Sequence, residues 1–446
     1  MADLQSFLRS KQEINNYNDL LVTVQSYMSN TYENLLSSEM SEADSRLVKD
    51  YIRQYLVTHI IKLDDMTEDE LTEKLYSDMA EYSFLTKLLK NAEEMHLEEI
   101  DNNSWEDIDL IVAGHRYKSP ETFSSPQHAI DIIRRMLQLN GSVIDDGKPH
   151  ALGSLAKNIR ITALKTPLLD DEVGVAASIR VVGKSTLSKT KLAQDTATVG
   201  MLDFLSVAVK YGISVCIAGN TGSGKTSTAS WLMSTLPDSK RIYTIEEGSR
   251  ELDLVRRDKK GKITNSVIHT ITKSSLDKSS EVSQENLLDY ALRFNPDIIC
   301  VGEMRSREAF AAQEAARTGH TVITTIHSKT AAGAYMRMTT LAKRAYEFSD
   351  ETLMKMMVEA FPLIVYQRQL EDSSRKITEI IEGEGYVNGD LKYRTLFRYV
   401  VDDNSQVNAK GKAIIEGHFE KVDGISEKLR NEMVQNGAPK RFAQFF

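Results

Sequence analysis

The chain has 446 residues, 41% of them apolar and 27% charged, an ordinary globular balance that excludes disordered, collagen-like and coiled-coil classes and has room for about three compact units. Its 55 basic and 64 acidic side chains leave a net charge of −9, which excludes a passive phosphate-binding protein and leaves only local basic stretches for anions. The two cysteines, Cys216 and Cys300, sit singly in apolar runs with no CxxC pair or Cys/His cluster, which argues against disulfides and structural zinc and fits a reducing cytoplasm.

In chain order, MADLQSFLRSKQE opens with charges where a signal peptide needs an apolar region, and no later run approaches 18 uninterrupted apolar residues, so the chain is not expected to span a membrane. Residues 1–95 read as a helical region: SRLVKDYIRQYLVTHIIKL and EYSFLTKLLKNAEEM repeat apolar positions at three- and four-residue spacing, without Gly or Pro. Residues 96–195 shift to short apolar runs, IDLIVAG, NIRITAL and AASIRVV, broken by Gly, Pro and Ser, and predict a small α+β domain. The Lys/Ser/Thr-rich stretch Gly183–Gly200 reads as a hinge. Over residues 196–401 strand-like and helix-like runs alternate, which predicts crossover units and a largely parallel sheet, closed by LIVYQRQL, KITEIIEGE and LKYRTLFRYV. Residues 402–446 form a polar, partly helical tail.

Four motifs carry chemistry. The first is GNTGSGKT, comprising Gly219, Asn220, Thr221, Gly222, Ser223, Gly224, Lys225 and Thr226, followed by Ser227. It fits G-x-x-x-x-G-K-[ST] between an apolar strand and a helix-forming segment, where a Gly-rich backbone curls its N–H groups onto phosphate oxygens. Lys225, expected to be exposed, adds a point charge for the β- and γ-phosphates, and Thr226 offers a hydroxyl to Mg²⁺. ATP and Mg²⁺ are therefore the expected cofactors. The second is NPDIICVGEMR, where Ile298–Val301 read as a buried strand that carries Glu303 beyond Gly302. A carboxylate ending the next strand of the sheet can face the phosphate loop, hold Mg²⁺ or its water and orient the attacking water. The third is RIYTIEEGSREL, with Glu246, Glu247 and Glu251, of which at least one is expected in the site. The fourth is TGHTVITTIHS, with His320 and His327 at opposite ends of a strand; a lone histidine is usually structural, but one that ends a strand beside a γ-phosphate can sense it, which favours His327.

In this order the motifs resemble the secretion ATPase superfamily, the motors of type II and type IV secretion and of type IV pili: its Walker A, Asp box, Walker B ending in GE, and His box. With NIRITALKTPLLDDEVGVAASIRVV, DIDLIVAGHRY and YRTLFRYVVDD…GHFEKVDG, the chain is most similar to the CpaF-like branch, which serves tight-adherence (Flp) pili. The resemblance implies a RecA-like P-loop ATPase domain, a homohexameric ring and catalytic roles for Lys225, Glu247, Glu303 and His327, with Thr226 and Glu303 on the metal. It also implies arginines that cross to a neighbour's nucleotide, at positions that Arg160 and Arg180 occupy here. Inner-membrane platform proteins are the implied partners, at the cytoplasmic face of the membrane, with no stable nucleic-acid binding.

The chain departs from the pattern in several places. Asn220 replaces a Gly at no cost in ligands, since the loop uses backbone N–H groups; Glu247 replaces the usual Asp with a longer arm; Asn295 replaces a usual Arg; and residues 254–284 are longer and more basic. Lack of a CxxC pair disfavours the zinc-bearing type II branch. A RecA-like DNA translocase or recombinase is the alternative, with Arg256, Arg257, Lys259, Lys260 and Lys262 as its only obvious basic run, a pattern more often a solvated loop. A scaffold that binds ATP without turnover is a third class, opposed by the intact Lys225, Thr226 and Glu303.

Overall fold

The computed structural model describes residues 16–31, 42–63, 66–139, 141–156, 158–181, 187–248, 250–273, 278–407, 411 and 413–443. The chain divides into two compact units, Met1–Gly183 and Lys184–Phe446. Among the described residues no helix is long and apolar enough to cross a membrane.

The described part of unit 1 opens with helices Tyr17–Thr31, Glu42–Thr58, Glu68–Ala80 and Phe84–Lys90. Their one-face periodicity is what buries them: Leu20, Val24 and Met28 meet Val48, Ile52 and Leu56, and Leu71, Leu75 and Met79. Thr67 and Glu70 close a capping box at the start of the third helix. An antiparallel sheet follows, built from β1 (Leu97–Asn102), β2 (Ile108–Val112), β3 (His115–Lys118), β4 (His150–Ala156), β5 (Ile159–Lys165) and β6 (Val175–Val181) in the order β3-β2-β1-β6-β5-β4. Alternation does the work here: Ile159, Ile161, Ala163 and Val175, Ala177, Ile179 face a core shared with helix Pro126–Gln138.

Unit 2 is a nine-stranded sheet in the order β15-β14-β13-β12-β7-β11-β10-β8-β9. Its strands are β7 (Val215–Gly219), β8 (Arg241–Glu246), β9 (Ser266–Ile271), β10 (Ile298–Met304), β11 (Thr321–Ile326), β12 (Leu363–Gln369), β13 (Arg375–Val387), β14 (Asp390–Asp403) and β15 (Glu416–Lys421). From β12 through β9 all neighbours run parallel, and β12 to β15 form an antiparallel meander. The inner parallel strands β7, β8, β10 and β11 are buried on both faces, as their apolar runs require, while the edge strand β9 is only half-buried. Val215 and Ile217 enter one apolar cluster while Cys216 and Ala218 enter the other, and Ile298 and Cys300 divide from Ile299 and Val301 in the same way.

One expectation needs correction. Part of the expected hinge, residues 182–186, lies outside the described residues, but the rest is ordinary structure: helix Lys189–Asp195 buries Leu192, and Ala197 is buried beside it. In the tail, helix Glu427–Gln435 places Leu429 and Met433 in the same cluster as Ile377 and Ile380 of β13. Polarity in that helix is confined to its outer face.

Candidate nucleotide site at the carboxyl ends of the parallel strands

The Gly-rich loop leaves the carboxyl end of β7 and runs straight into helix Lys225–Ser234. Its glycines are there for space and for backbone sign. A Cβ on Gly219 would stand 2.0 Å from the Gln367 carbonyl oxygen, so no side chain fits. Gly222 and Gly224 have φ of +76° and +89°, which L side chains seldom adopt. Ser223, fully buried, donates its hydroxyl to the Asn220 carbonyl at 2.7 Å and tightens the curl. Lys225 is not exposed as expected: only 8% of its surface is accessible, because Nζ folds back and donates to the carbonyls of Gly219 (3.1 Å) and Asn220 (2.8 Å). A buried ammonium needs such acceptors, and the loop's own outward carbonyls supply them. Thr226 is half-buried and Ser227 exposed at the start of the helix.

The expected acids do gather beside the loop, though not on adjacent strands. β11 lies between β7 and β10, and His327 just beyond its end spans the gap: His327 Nε2 is 3.1 Å from Glu303 Oε1, and its ring shares a hydrogen bond with the Gly219 backbone. Arg305 then joins the two acids, donating to Glu303 Oε2 at 2.8 Å and Glu247 Oε2 at 3.0 Å. Burial pushes the Glu303 carboxyl up, but the Arg305 hydrogen bond and the charges of Arg305, His327 and Lys225 outweigh it and hold Glu303 below the usual carboxylate range. Burial and then the Lys225 charge depress His327, against the pull of Glu303. The imidazole is therefore neutral at physiological pH.

Glu246 has a different part. It is 4% exposed, lies beneath Gly302, and accepts the backbone N–H groups of Glu251 (2.7 Å) and Leu252 (3.0 Å). Burial pushes it up to about 7 in spite of those donors. It acts as the anchor of the turn that carries Glu247. Glu251 enters this arrangement through its backbone. His320 precedes β11, at the amino end of that strand, away from the loop. Arg160 and Arg180 are direct cross-strand partners on β5 and β6, on the face of the unit 1 sheet opposite its core.

The donor set suits the implied cofactors. Among the described residues no group of three His, Cys, Asp or Glu side chains could hold a metal ion by itself. Mg²⁺ needs none: it keeps waters and phosphate oxygens and takes one or two hard protein oxygens, which Thr226 and Glu303 offer. Three further residues take their roles from the fold. Gln367, 2% exposed, accepts from the Thr228 hydroxyl at 2.8 Å; Arg375 Nε donates to the Gly222 carbonyl at 2.8 Å; and Arg305 ties the acids together. Arg305 is visible inside GEMR, but Gln367 and Arg375 follow the loop by well over a hundred residues with no motif around them.

A family model described as Type II/IV secretion system protein matches residues 71–432. The type IV secretion system protein VirB11 of Bartonella quintana is 34% identical over 183 residues, 40% of this chain and 49% of its own length. The conjugal transfer protein TrbB of Rhizobium radiobacter is 31% identical over 205 residues, 45% of this chain and 57% of its own length. The chain thus spans about half the length of these curated relatives. The X-ray structure of the Legionella pneumophila ATPase DotB superposes with a TM-score of 0.47 at 20% identity, over 81% of this chain and 85% of that one.

Proposed function

Since this chain belongs to the Type II/IV secretion system protein family, we propose that it is an ATP-hydrolysing motor that powers assembly of a pilus, or transfer of protein or DNA through a secretion apparatus of that kind. The CpaF-like branch is the reading we favour within the family, with six copies in a ring, seated against membrane platform proteins at the cytoplasmic face. We infer a four-part organisation, with a helical leader and an α+β domain ahead of the ATPase domain and its tail.

One observation carries the reading: Lys225, Glu303 and His327 meet at the carboxyl ends of β7, β10 and β11, where open parallel sheets bind ligands. In the proposed mechanism the loop N–H groups and the amino end of helix Lys225–Ser234 hold the phosphates. Lys225 turns from the loop carbonyls to the phosphate oxygens. Thr226 and Glu303 would hold Mg²⁺, which when bound would neutralise charge on the phosphate oxygens. Glu303, ionised at neutral pH, accepts a hydrogen bond from the attacking water and aligns it. Glu247 extends that acidic pair, and neutral His327 couples Glu303 to the loop.

Lys225→Ala tests this directly. Loss of a charge-assisted contact to phosphate predicts about a ten- to hundredfold drop in ATP affinity, measured by titration calorimetry. A folded variant that binds ATP as tightly as the parent defeats the assignment.

A further inference from the structure

The phosphate loop is gripped from outside by the hairpin of β12 and β13, which no motif predicts. Two grips lie on β12. The Gln367 carbonyl crowds Gly219, and its side chain accepts from Thr228 while its amide nitrogen stands 3.0 Å from where a Gly224 Cβ would be. Gln369 Oε1 stands 3.1 Å from the same position on Gly222. The third grip is Arg375, at the first residue of β13, whose Nε donates to the Gly222 carbonyl. A peptide unit is planar and trans, so fixing that carbonyl also fixes the Ser223 N–H on its opposite edge. That N–H closes the loop's turn on the Asn220 carbonyl at 3.4 Å, so the hairpin helps to hold the shape of the turn.

The residues next to Arg375 hold something else. Lys376 Nζ donates to the Asp195 carbonyl at 2.8 Å, and the Ile377 N–H donates to the Thr196 carbonyl at 2.8 Å. These carbonyls end helix Lys189–Asp195, the first described helix of unit 2, whose Leu192 is rooted in the core. Across the hairpin the two sets are in register, Gln369 opposite Arg375 and Gln367 opposite Ile377. One short two-stranded brace therefore touches the phosphate loop at one edge and the entry of the chain into unit 2 at the other.

We propose that Arg375 is a positioning residue of the phosphate loop, and that through the β12–β13 brace a nucleotide on the loop orders the chain at Asp195–Thr196. This rests on the nucleotide reading above. When phosphate oxygens draw the Ser223 N–H away from the Asn220 carbonyl, the Gly222 carbonyl turns with it, and the guanidinium that holds the carbonyl transmits the turn to β13. Lys376 and Ile377 then load the two carbonyls at the end of helix Lys189–Asp195. A charged donor on a backbone carbonyl is strong enough to carry such a bias, and the ladder between β12 and β13 makes the brace stiff.

Hydrogen exchange on the full chain, with and without Mg²⁺ and a non-hydrolysable ATP analogue, tests it. Arg375→Met keeps the aliphatic stem and removes the donor; Arg375→Lys restores a donor, and thermal melts check that both fold. In the parent the analogue should slow exchange in 219–228, 192–197 and 375–380. Arg375→Met should bind about three- to tenfold more weakly, and at saturation should protect 219–228 but not 192–197, with Arg375→Lys recovering part of the loss. Parent-like protection of 192–197 in saturated Arg375→Met overturns the brace, as does a parent that protects 219–228 alone. A parent with no protection at 219–228 overturns the nucleotide reading itself, and the brace with it.

Discussion

At the scale of single residues, the site is a set of charges that balance one another. Glu303 is held between Arg305 and His327, and Arg305 also holds Glu247. Glu303→Gln keeps the shape and removes the charge, so ATP should still bind while turnover falls by about a hundredfold, the scale of losing a catalytic group. Steady-state hydrolysis alongside nucleotide binding separates the two; near-parental turnover would transfer the role to Glu247. The loop and the strand-end carboxylate were legible because their chemistry sits in consecutive residues. The burial of Lys225 was not, since it depends on which carbonyls the folded loop turns outward. Arg375 and Gln367 were illegible for a simpler reason: their contacts to the loop are made by sheet pairing, which leaves no local trace in the sequence.

At the scale of elements, hydrophobic runs and turn residues gave the strands of the parallel sheet but not their order. Reading β10 as the neighbour of β7 was wrong because β11, later in the chain, inserts between them. Strand order is decided by crossovers, and apolar runs buried on both faces look alike in every position. The edge strand β9 was missed within the long basic segment 254–284, where Arg256 is committed to Asp238 and the Leu236 carbonyl, while Lys259, Lys260 and Lys262 remain exposed around a turn. The C-terminal helix makes a sharper lesson, since mean polarity hid two core residues. Leu429→Ala should destabilise unit 2 by about 2–5 kcal/mol, the usual range for emptying a core leucine site. Chemical denaturation measures it; a loss below about 0.5 kcal/mol, the surface-substitution range, would mean that the helix does not belong to the core.

At the scale of the whole molecule, the functional reading depends on assembly. Arg160 and Arg180 are cross-strand partners on β5 and β6, on the sheet face opposite the core of unit 1. We expect them to reach nucleotide phosphate on a neighbouring copy, as arginines supplied in trans do in other phosphoryl-transfer sites. Arg180→Ala should then lower turnover more than ATP affinity, and specific activity of the parent should climb steeply with protein concentration as rings close. A strictly monomeric protein with full, concentration-independent activity would defeat the ring while leaving the nucleotide site in place.

Strands β7 and β10 carry both thiols of the protein inward. Cys216 and Cys300 are 0% and 1% exposed, and burial drives each thiol far above its ordinary range. Alkylating reagents attack thiolates within reach, so the folded chain is chemically silent towards them. A single cysteine engineered on the surface of either unit would carry a dye alone, with no native residue to remove first. The packing that stabilises the sheet thus also leaves the protein ready for distance measurements as its parts move.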